Sequence, residues 1–335
     1  MEKRIFALIA FACAGFLAFS IFLPKEGKIF RFPLASADSR EDVKGIKEDK
    51  LRSIYTYSRI LSYPWNQNFV FTNPQNYLDL SKELPYVHAK NAISVRLNDS
   101  TILFSRDEHR SVPIASVTKI MTATVALEHK KLSDKIKVSR KAATVGENAM
   151  GISEGEEYTL EELLYGLILH SGNDAAVAIA EGVAGTEENF VYYMNTKVKE
   201  LGLTETTYAD SNGLNDGNVS SAYDQAKLTK YALQNPDFKK VVATLDRTIE
   251  ATSAHKYLAL SNQTNLLRTY PGVMGVKTGY TEAANLCLVT YAENEGEGII
   301  GVVLNSDARK TDMIQLLDYS YDKIGIKVSH PLLNN

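Results

Sequence analysis

The sequence has 335 residues, of which 44% are hydrophobic and 23% are charged, and its net charge at pH 7 is −3. This composition is ordinary for a globular protein, and the length provides ample material for one large domain or two small ones. The slightly acidic balance does not favour nucleic acid as a partner. The two cysteines, Cys13 and Cys287, lie in separate apolar segments, so we expect inert buried thiols rather than a disulfide.

The chain begins with Lys3 and Arg4, followed by an uncharged apolar run over residues 5–23. A run of this length indicates an export signal or a membrane anchor. A triplet of cleavage-site form, Ala-Ser-Ala at 35–37, lies well beyond the run. We therefore predict an uncleaved anchor over residues 1–24, with the N-terminus inside the cell and the rest exported. A cleaved signal and a secreted protein are the alternative.

Residues 25–85 are mixed in character. Charged residues cluster over 38–52, and aromatic residues follow over 53–78. We interpret the segment as a juxtamembrane spacer that packs on the main domain. The alternative is an aromatic surface that lies near the bilayer or the cell wall.

The next part of the chain is mostly helical. An alternating pattern over residues 91–106, interrupted by Asn-Asp-Ser, predicts a hairpin. Apolar residues at helical spacing then predict a helix that begins just after Pro113. Further helices are predicted over 160–169, 174–184, 187–200 and 221–234, and a strand pair or an extended crossing over 239–252.

The period of the pattern changes from residue 272. Three strands are predicted over 273–280, 285–293 and 298–306, and an amphipathic helix over 309–323. An early hairpin, a helical middle, late strands and a closing helix predict an α+β fold. Its antiparallel sheet is flanked by helices and accompanied by a helical subdomain, and the first and last segments can share the sheet.

The pattern Ser-x-x-Lys at Ser116 and Lys119 lies at the start of the first of these helices. Residues three apart share one face of a helix, so a serine hydroxyl lies beside a lysine amine. This is a possible pair of nucleophile and base. The N–H of Ser116 lies at the positive end of the helix, where it is suited to stabilising an oxyanion.

Ser-x-x-Lys alone is weak, because about one match per chain of this size is expected by chance. The sequence holds three, and the other two begin at Ser253 and Ser320. Only the first is followed by Ser-Gly-Asn at 171–173 and then by Lys-Thr-Gly at 277–279. Lys-Thr-Gly is expected only about a tenth of the time, so the ordered set is a strong signal.

The three motifs together resemble those of the serine penicillin-recognising enzymes. Within that group the sequence is most similar to the low-molecular-mass penicillin-binding proteins that are serine-type D-alanyl-D-alanine carboxypeptidases. The resemblance covers residues 86–325 and implies a β-lactamase/transpeptidase-like catalytic domain there, with 326–335 as a C-terminal tail.

In such an enzyme Ser116 is the nucleophile that forms the acyl-enzyme, and Lys119 is its base. Lys119 must then be neutral, which we expect from burial, the helix dipole and the ammonium of Lys277. Ser171 is expected to relay a proton to the leaving amine, and Asn173 to orient Lys119 and hold a substrate carbonyl. The plainer interpretation of Asn173 or Asp174 is a helix N-cap.

The Lys-Thr-Gly strand is expected to bind the substrate. Lys277 and Gly279 face one way and Thr278 the other, and glycine lets a peptide lie flat against the strand edge. The Lys277 ammonium and the Thr278 hydroxyl suit a substrate carboxylate. The resemblance implies that the N–H of Tyr280 joins the oxyanion hole and that Arg309 helps to fix the terminal carboxylate. A solvated arginine at the start of a helix is the alternative for Arg309.

The expected function is removal of the terminal D-Ala from peptidoglycan stem pentapeptides, on the outer face of the bacterial cytoplasmic membrane. β-Lactams are expected to acylate Ser116 and inhibit the enzyme, and no metal or organic cofactor is needed. Whether water alone or also an amine accepts the acyl group is left open.

Two other functions stay open. A β-lactamase shares the three motifs, but the Glu-x-x-Leu-Asn segment that class A enzymes use for deacylation is absent from the sequence. A non-catalytic wall-binding protein is disfavoured by the intact Ser116, Lys119 and Lys277. A Gly-x-Ser-x-Gly match around Ser153 lacks the flanking strand and helix of a hydrolase elbow, so we interpret it as a polar loop.

Overall fold

The computed structural model describes residues 71–72, 84–264 and 266–332. Its strands are β1 (Asn91–Arg96), β2 (Ile102–Arg106), β3 (Val112–Pro113), β4 (Lys135–Lys137), β5 (Glu157–Thr159), β6 (Val219–Ser220), β7 (Asp246–Ile249), β8 (Leu258–Ser261), β9 (Val273–Thr281), β10 (Asn285–Asn294) and β11 (Glu297–Ser306). Its helices are α1 (Lys119–His129), α2 (Arg140–Ala143), α3 (Leu160–Leu169), α4 (Asn173–Ala184), α5 (Glu187–Leu201), α6 (Ala222–Ala232), α7 (Pro236–Val242), α8 (Leu266–Thr269) and α9 (Arg309–Lys323).

A five-stranded antiparallel sheet in the order β2-β1-β11-β10-β9 is the centre of the fold. β1 pairs with β11, with Asn91 opposite Leu304, so the early hairpin and the late strands share one sheet as predicted. β9 ends the order, so one of its long edges is unpaired within the part of the chain that the structure describes. The predicted α+β class is confirmed.

One face of the sheet is covered by α9. Met313, Leu316 and Leu317 of this helix are buried in an apolar cluster that includes Ile299 of β11. Gly301 permits the close approach, because a Cβ there would lie 2.5 Å from the sulfur of Met313. Burying side chains of this kind stabilises the fold by about 1.5–3 kcal/mol each, which fixes the helix on the sheet.

The opposite face packs on the helical subdomain. Ile300 and Val302, which alternate with Ile299, join a larger core with buried residues of α1, α3 and α4. α3 begins with a capping box in which Thr159 and Glu162 satisfy each other's backbone N–H groups. The helical subdomain thus lies on the sheet face opposite α9.

Most predicted elements are confirmed to within about two residues. The prediction of a strand pair or an extended crossing over 239–252 is wrong, because its first part lies in α7 and β7 pairs with β8 beyond that range. The reason lies just upstream: Asn235 accepts hydrogen bonds from the N–H groups of Asp237 and Phe238, and Pro236 takes the first helical position.

Both ends of the described chain pack on the domain. Phe71 is buried against Tyr223, with ring centroids 5.0 Å apart. Near the C-terminus Ile326 is buried, and His330 Nε2 lies 2.8 Å from Asp318 Oδ1. Residues of the predicted tail therefore contact α9 and the apolar cluster beneath it.

The predicted anchor over 1–24, Cys13 and nearly all of the spacer lie outside the described residues. No helix between residues 84 and 264 or between 266 and 332 has both the length and the apolar character to cross a bilayer. Cys287 is a free, buried thiol, as expected, and burial raises its pKa to about 11.

Candidate active site

Ser116 and Lys119 lie side by side where a 3₁₀ turn, Ala115–Thr118, leads into α1. The first turn is tighter than the predicted α-helical one. Residues three apart eclipse each other in a 3₁₀ turn, so the two side chains still share one face. Lys119 Nζ lies 2.9 Å from Ser116 Oγ, which is the expected distance between a nucleophile and its base.

Lys119 is fully buried and has oxygen atoms on three sides. Besides Ser116 Oγ, its Nζ lies 2.8 Å from Asn173 Oδ1 and 2.5 Å from the carbonyl oxygen of Asn212. Burial lowers the pKa of Lys119 to about 7, against an opposing effect of nearby carboxylates of which Asp210 is the strongest. Near neutral pH the amine is therefore available in its uncharged form.

Ser171 is placed by the short connection between α3 and α4. Its backbone has a φ of 56°, in the left-handed region, and its side chain is buried. Ser171 Oγ accepts a hydrogen bond of 3.0 Å from Lys277 Nζ. A serine held in this uncommon conformation between two helices costs free energy, which is typical of a position that function fixes.

Asn173 is the first residue of α4, and hydrogen bonds fix both its backbone and its side chain. Its N–H donates to the carbonyl of Asn148, and its Nδ2 donates to the carbonyl of Gly146. The N-cap interpretation of Asn173 or Asp174 is wrong, since Gly172 occupies that position without a side-chain cap. The Asn173 amide is instead left to bond Lys119.

Asp174 fixes the loop that borders Asn173, a contact that sequence reasoning missed. Its carboxylate accepts hydrogen bonds from the backbone N–H groups of Met150, Gly151 and Ile152 at 2.8–3.1 Å. A carboxylate that takes several N–H groups holds a loop rigidly. An aspartate next to the Ser-x-Asn motif is the sequence signal for this role.

β9 brings the third motif against the first. Lys277 is buried, and its Nζ donates to Ser171 Oγ and to the Thr278 carbonyl, each at 3.0 Å. A Cβ at Gly279 would lie 2.9 Å from the Ile114 carbonyl and 3.2 Å from the N of Ser116. Only glycine permits this approach, which places the edge strand directly beside Ser116.

Lys277 has a pKa well below its usual range. Burial is the main cause, and the charges of Lys119 and Arg309 act in the same direction. Two of the three donors of an ammonium are used by Ser171 and Thr278, so one direction remains for a ligand.

The remaining predicted residues lie in β9 or contact it. Thr278 lies opposite Leu288 of β10, and Tyr280 follows Gly279 with 59% of its surface exposed. Arg309 Nη1 donates a 2.7 Å hydrogen bond to the Gly279 carbonyl. Arg309 is therefore half-buried at the Lys-Thr-Gly strand and not a solvated arginine.

The competing sequence matches have ordinary structural settings. Ser320 bonds Ser94 and the carbonyl of Leu316, Ser253 is exposed, and Ser153 accepts from Lys256 Nζ. Among the described residues, only the Ser116 match meets the other two motifs.

A profile of the D-alanyl-D-alanine carboxypeptidase family matches residues 79–308, which include all three motifs. The chain belongs to this family. The family match begins a few residues before the predicted domain start at 86 and ends before the predicted end at 325. It contains the whole of the site described above except Arg309.

Members of the D-alanyl-D-alanine carboxypeptidase family resemble the chain in sequence and structure. D-alanyl-D-alanine carboxypeptidase DacF of Bacillus subtilis is 36% identical over 73% of the chain, and the match spans 64% of DacF, slightly less than two thirds. The crystal structure of the Streptomyces K15 DD-transpeptidase superposes with a TM-score of 0.69 at 30% identity, covering 72% of this chain and 100% of that one. The Mycobacterium tuberculosis D-alanyl-D-alanine carboxypeptidase gives a TM-score of 0.69 at 28% identity, with coverages of 75% and 96%.

Proposed function

We propose that this chain is a serine-type D-alanyl-D-alanine carboxypeptidase that removes the terminal D-Ala from peptidoglycan stem pentapeptides. The observation that carries the proposal is the 2.9 Å distance between Ser116 Oγ and a fully buried Lys119 amine with a pKa of about 7. A base with a pKa near the working pH is suited to general base catalysis.

The substrate peptide lies along the unpaired edge of β9 as an added strand. Its terminal carboxylate is bound by Lys277 and Thr278, with Arg309 beside them. Burial lowers the pKa of Lys277, and an entering carboxylate raises it again and favours the ammonium form. Binding of the substrate carboxylate therefore promotes protonation of Lys277, and the resulting ammonium pairs with that carboxylate.

Acylation begins when the neutral amine of Lys119 takes the proton of Ser116 and Oγ attacks the carbonyl of the penultimate D-Ala. The N–H groups of Ser116 and Tyr280 stabilise the oxyanion of the tetrahedral intermediate. Ser171, hydrogen-bonded to Lys277, relays a proton to the departing amine and regains one from the Lys119 ammonium, which becomes a neutral amine again. D-Ala leaves, and water then hydrolyses the ester on Ser116.

β-Lactams acylate the same serine and remain bound, because the leaving group stays attached and obstructs water. This behaviour separates the proposal from a β-lactamase, which releases the acyl group quickly. The absence of a Glu-x-x-Leu-Asn segment from the sequence disfavours the β-lactamase.

Mass spectrometry of a synthetic pentapeptide ending in D-Ala-D-Ala tests the proposal. The wild type is expected to release one D-Ala and Ser116→Ala none. Ser253→Ala, which changes the exposed serine of another Ser-x-x-Lys match, is the control and keeps full activity. If the protein binds penicillin but releases no D-Ala, the proposal is wrong and a non-catalytic wall-binding protein is favoured. If it hydrolyses penicillin rapidly, the proposal is wrong and a β-lactamase is favoured. A peptide amine added to the reaction reveals transpeptidation as a heavier product.

The enzyme acts outside the cytoplasmic membrane, held there by residues 1–24. The apolar run over 5–23 after Lys3 and Arg4 supports this location. Fractionation of cells that express the full chain, beside a chain without residues 1–24, tests it. Recovery of a shortened protein in the medium supports a cleaved signal instead.

A further inference from the structure

The loop formed by residues 210–218 is organised by one carboxylate. Asp210 accepts hydrogen bonds from the backbone N–H groups of Asn212, Gly213 and Asn215 at 2.7–3.1 Å. Asn218 Nδ2 adds a fourth, at 2.5 Å. Both oxygens of Asp210 are therefore used to hold the shape of its own loop.

The loop is also fixed against α1 and against the 3₁₀ turn that holds the nucleophile. Thr122 Oγ1 of α1 donates a 2.6 Å hydrogen bond to the Ser211 carbonyl. Gly213 has a φ of +89°, and a Cβ there would lie 2.2 Å from the Ala115 carbonyl oxygen. The carbonyl of Asn212, between these two contacts, is directed at Lys119 Nζ.

The number of donors on Lys119 gives this carbonyl a chemical role. A neutral amine has two N–H groups and one lone pair, whereas an ammonium has three N–H groups. Asn173 Oδ1 and the Asn212 carbonyl are acceptors that have no proton to donate. If they take both N–H groups, the lone pair is left facing Ser116 Oγ, at 2.9 Å.

We propose that the 210–218 loop is a positioning element of the active site, in which Asp210 holds the Asn212 carbonyl so that the lone pair of neutral Lys119 faces the Ser116 hydroxyl. The proposal rests on the function proposed above. Asp210 is thus a positioning residue, because it acts on the chemistry only through the Asn212 carbonyl and Lys119.

The arrangement of the Lys119 amine without the Asn212 carbonyl shows why this second acceptor, beside Asn173 Oδ1, is needed. Without the Asn212 carbonyl, one N–H of the neutral amine is free to donate to Ser116 Oγ. The lone pair then points away from the proton that must be removed. Misdirection of a catalytic group by about 1 Å lowers rates by roughly 100-fold, so a loosened loop is costly even when the protein folds.

Asp210→Ala tests the proposal through the rate at which a fluorescent penicillin acylates Ser116, measured across pH. We expect the high-pH plateau to fall roughly 10- to 100-fold. We also expect the midpoint of the profile to move to lower pH, because both the charge of Asp210 and the fixed carbonyl favour protonated Lys119. A simple loss of folded protein lowers the plateau without moving the midpoint.

Asp216→Ala is the matched control. Asp216 lies in the same loop and carries the same charge, but it is exposed and bonds Thr281 rather than the backbone around Asn212. We expect its plateau and midpoint to match the wild type. Asp210→Asn, which keeps one acceptor oxygen, is the variant to measure if Asp210→Ala does not fold. Its acylation plateau is expected to lie between those of Asp210→Ala and the wild type.

An NMR titration of the Lys119 side chain gives a readout independent of activity. A lowered pKa in Asp210→Ala or Asp210→Asn, together with a reduced plateau, supports the proposal. A plateau equal to that of the wild type, or an unchanged pKa, overturns it. Failure of the proposed function is distinguishable, because the wild type itself is then not acylated at Ser116.

Discussion

Two regions of the molecule carry the same Ser-x-x-Lys pattern on a helix and differ in what surrounds it. At the start of α1, Lys119 is fully buried and faces Ser116. Near the end of α9, Lys323 donates instead to the Leu103 carbonyl, and Ser320 donates to carbonyl and hydroxyl oxygens. The comparison teaches that the pattern acquires chemistry only where burial lowers the pKa of the amine and the serine hydroxyl is its partner.

The position of the serine along the helix reinforces the difference. Ser116 lies before the first α-helical turn, at the positive end of the α1 dipole, which stabilises a developing negative charge. Ser320 lies in the second half of α9, and its Oγ donates to the carbonyl of Leu316 one turn back. A nucleophile at that position would face carbonyl oxygens, which repel an oxyanion.

The largest effect that separates the two regions is expected from the lysines. Lys119→Met removes the base and lowers the acylation rate by roughly 10²- to 10⁴-fold. Lys323→Met loses one hydrogen bond to Leu103 and costs about 1 kcal/mol of stability, with the acylation rate unchanged. Stopped-flow acylation and denaturant unfolding measure the two quantities. Full activity of Lys119→Met would show that Lys119 is not the base that activates Ser116.

A smaller effect is expected from two glycines of the sheet. A Cβ at Gly279 meets the backbone of Ile114 and Ser116, so Gly279→Ala displaces the site and lowers acylation by roughly tenfold or more. A Cβ at Gly301 meets the flexible side chain of Met313 on the α9 side. Gly301→Ala is therefore expected to lower the melting temperature while the rate per folded molecule is kept. Equal losses of activity in both variants would show that the effect is not local to the site.

The smallest effect is the pH dependence of the wild type. The pKa of Lys119 is lowered to about 7, so the neutral base increases as the pH rises through 7. Acylation by a β-lactam is expected to rise about tenfold per pH unit below 7 and to level off above it. The same shift affects the free energy of unfolding. Between pH 7 and 10.5 Lys119 is protonated in the unfolded chain and largely neutral in the folded one, so its contribution to stability increases as the pH rises. A flat rate profile from pH 6 to 8 would contradict a titrating Lys119.

Much of the fold and of the motif set follows from the sequence alone. Apolar periodicity placed α3 and α9 at their observed bounds and the three late strands to within a residue. The three motifs identified Ser116, Lys119, Ser171, Asn173 and Lys277, which the structure brings together through short hydrogen bonds. Local spacing suffices for these, because helix and strand periods and short motifs are written in neighbouring residues.

Only the tertiary structure decided which atoms complete the site. The Asn212 carbonyl is a backbone group and carries no residue-type signal, and its approach to Lys119 depends on contacts between distant segments. The 3₁₀ turn at Ser116 and the contact of Gly279 with that turn likewise arise where β9 packs on the start of α1. Burial of Lys119, which lowers its pKa, is a property of the assembled core and has no counterpart in any local stretch of sequence.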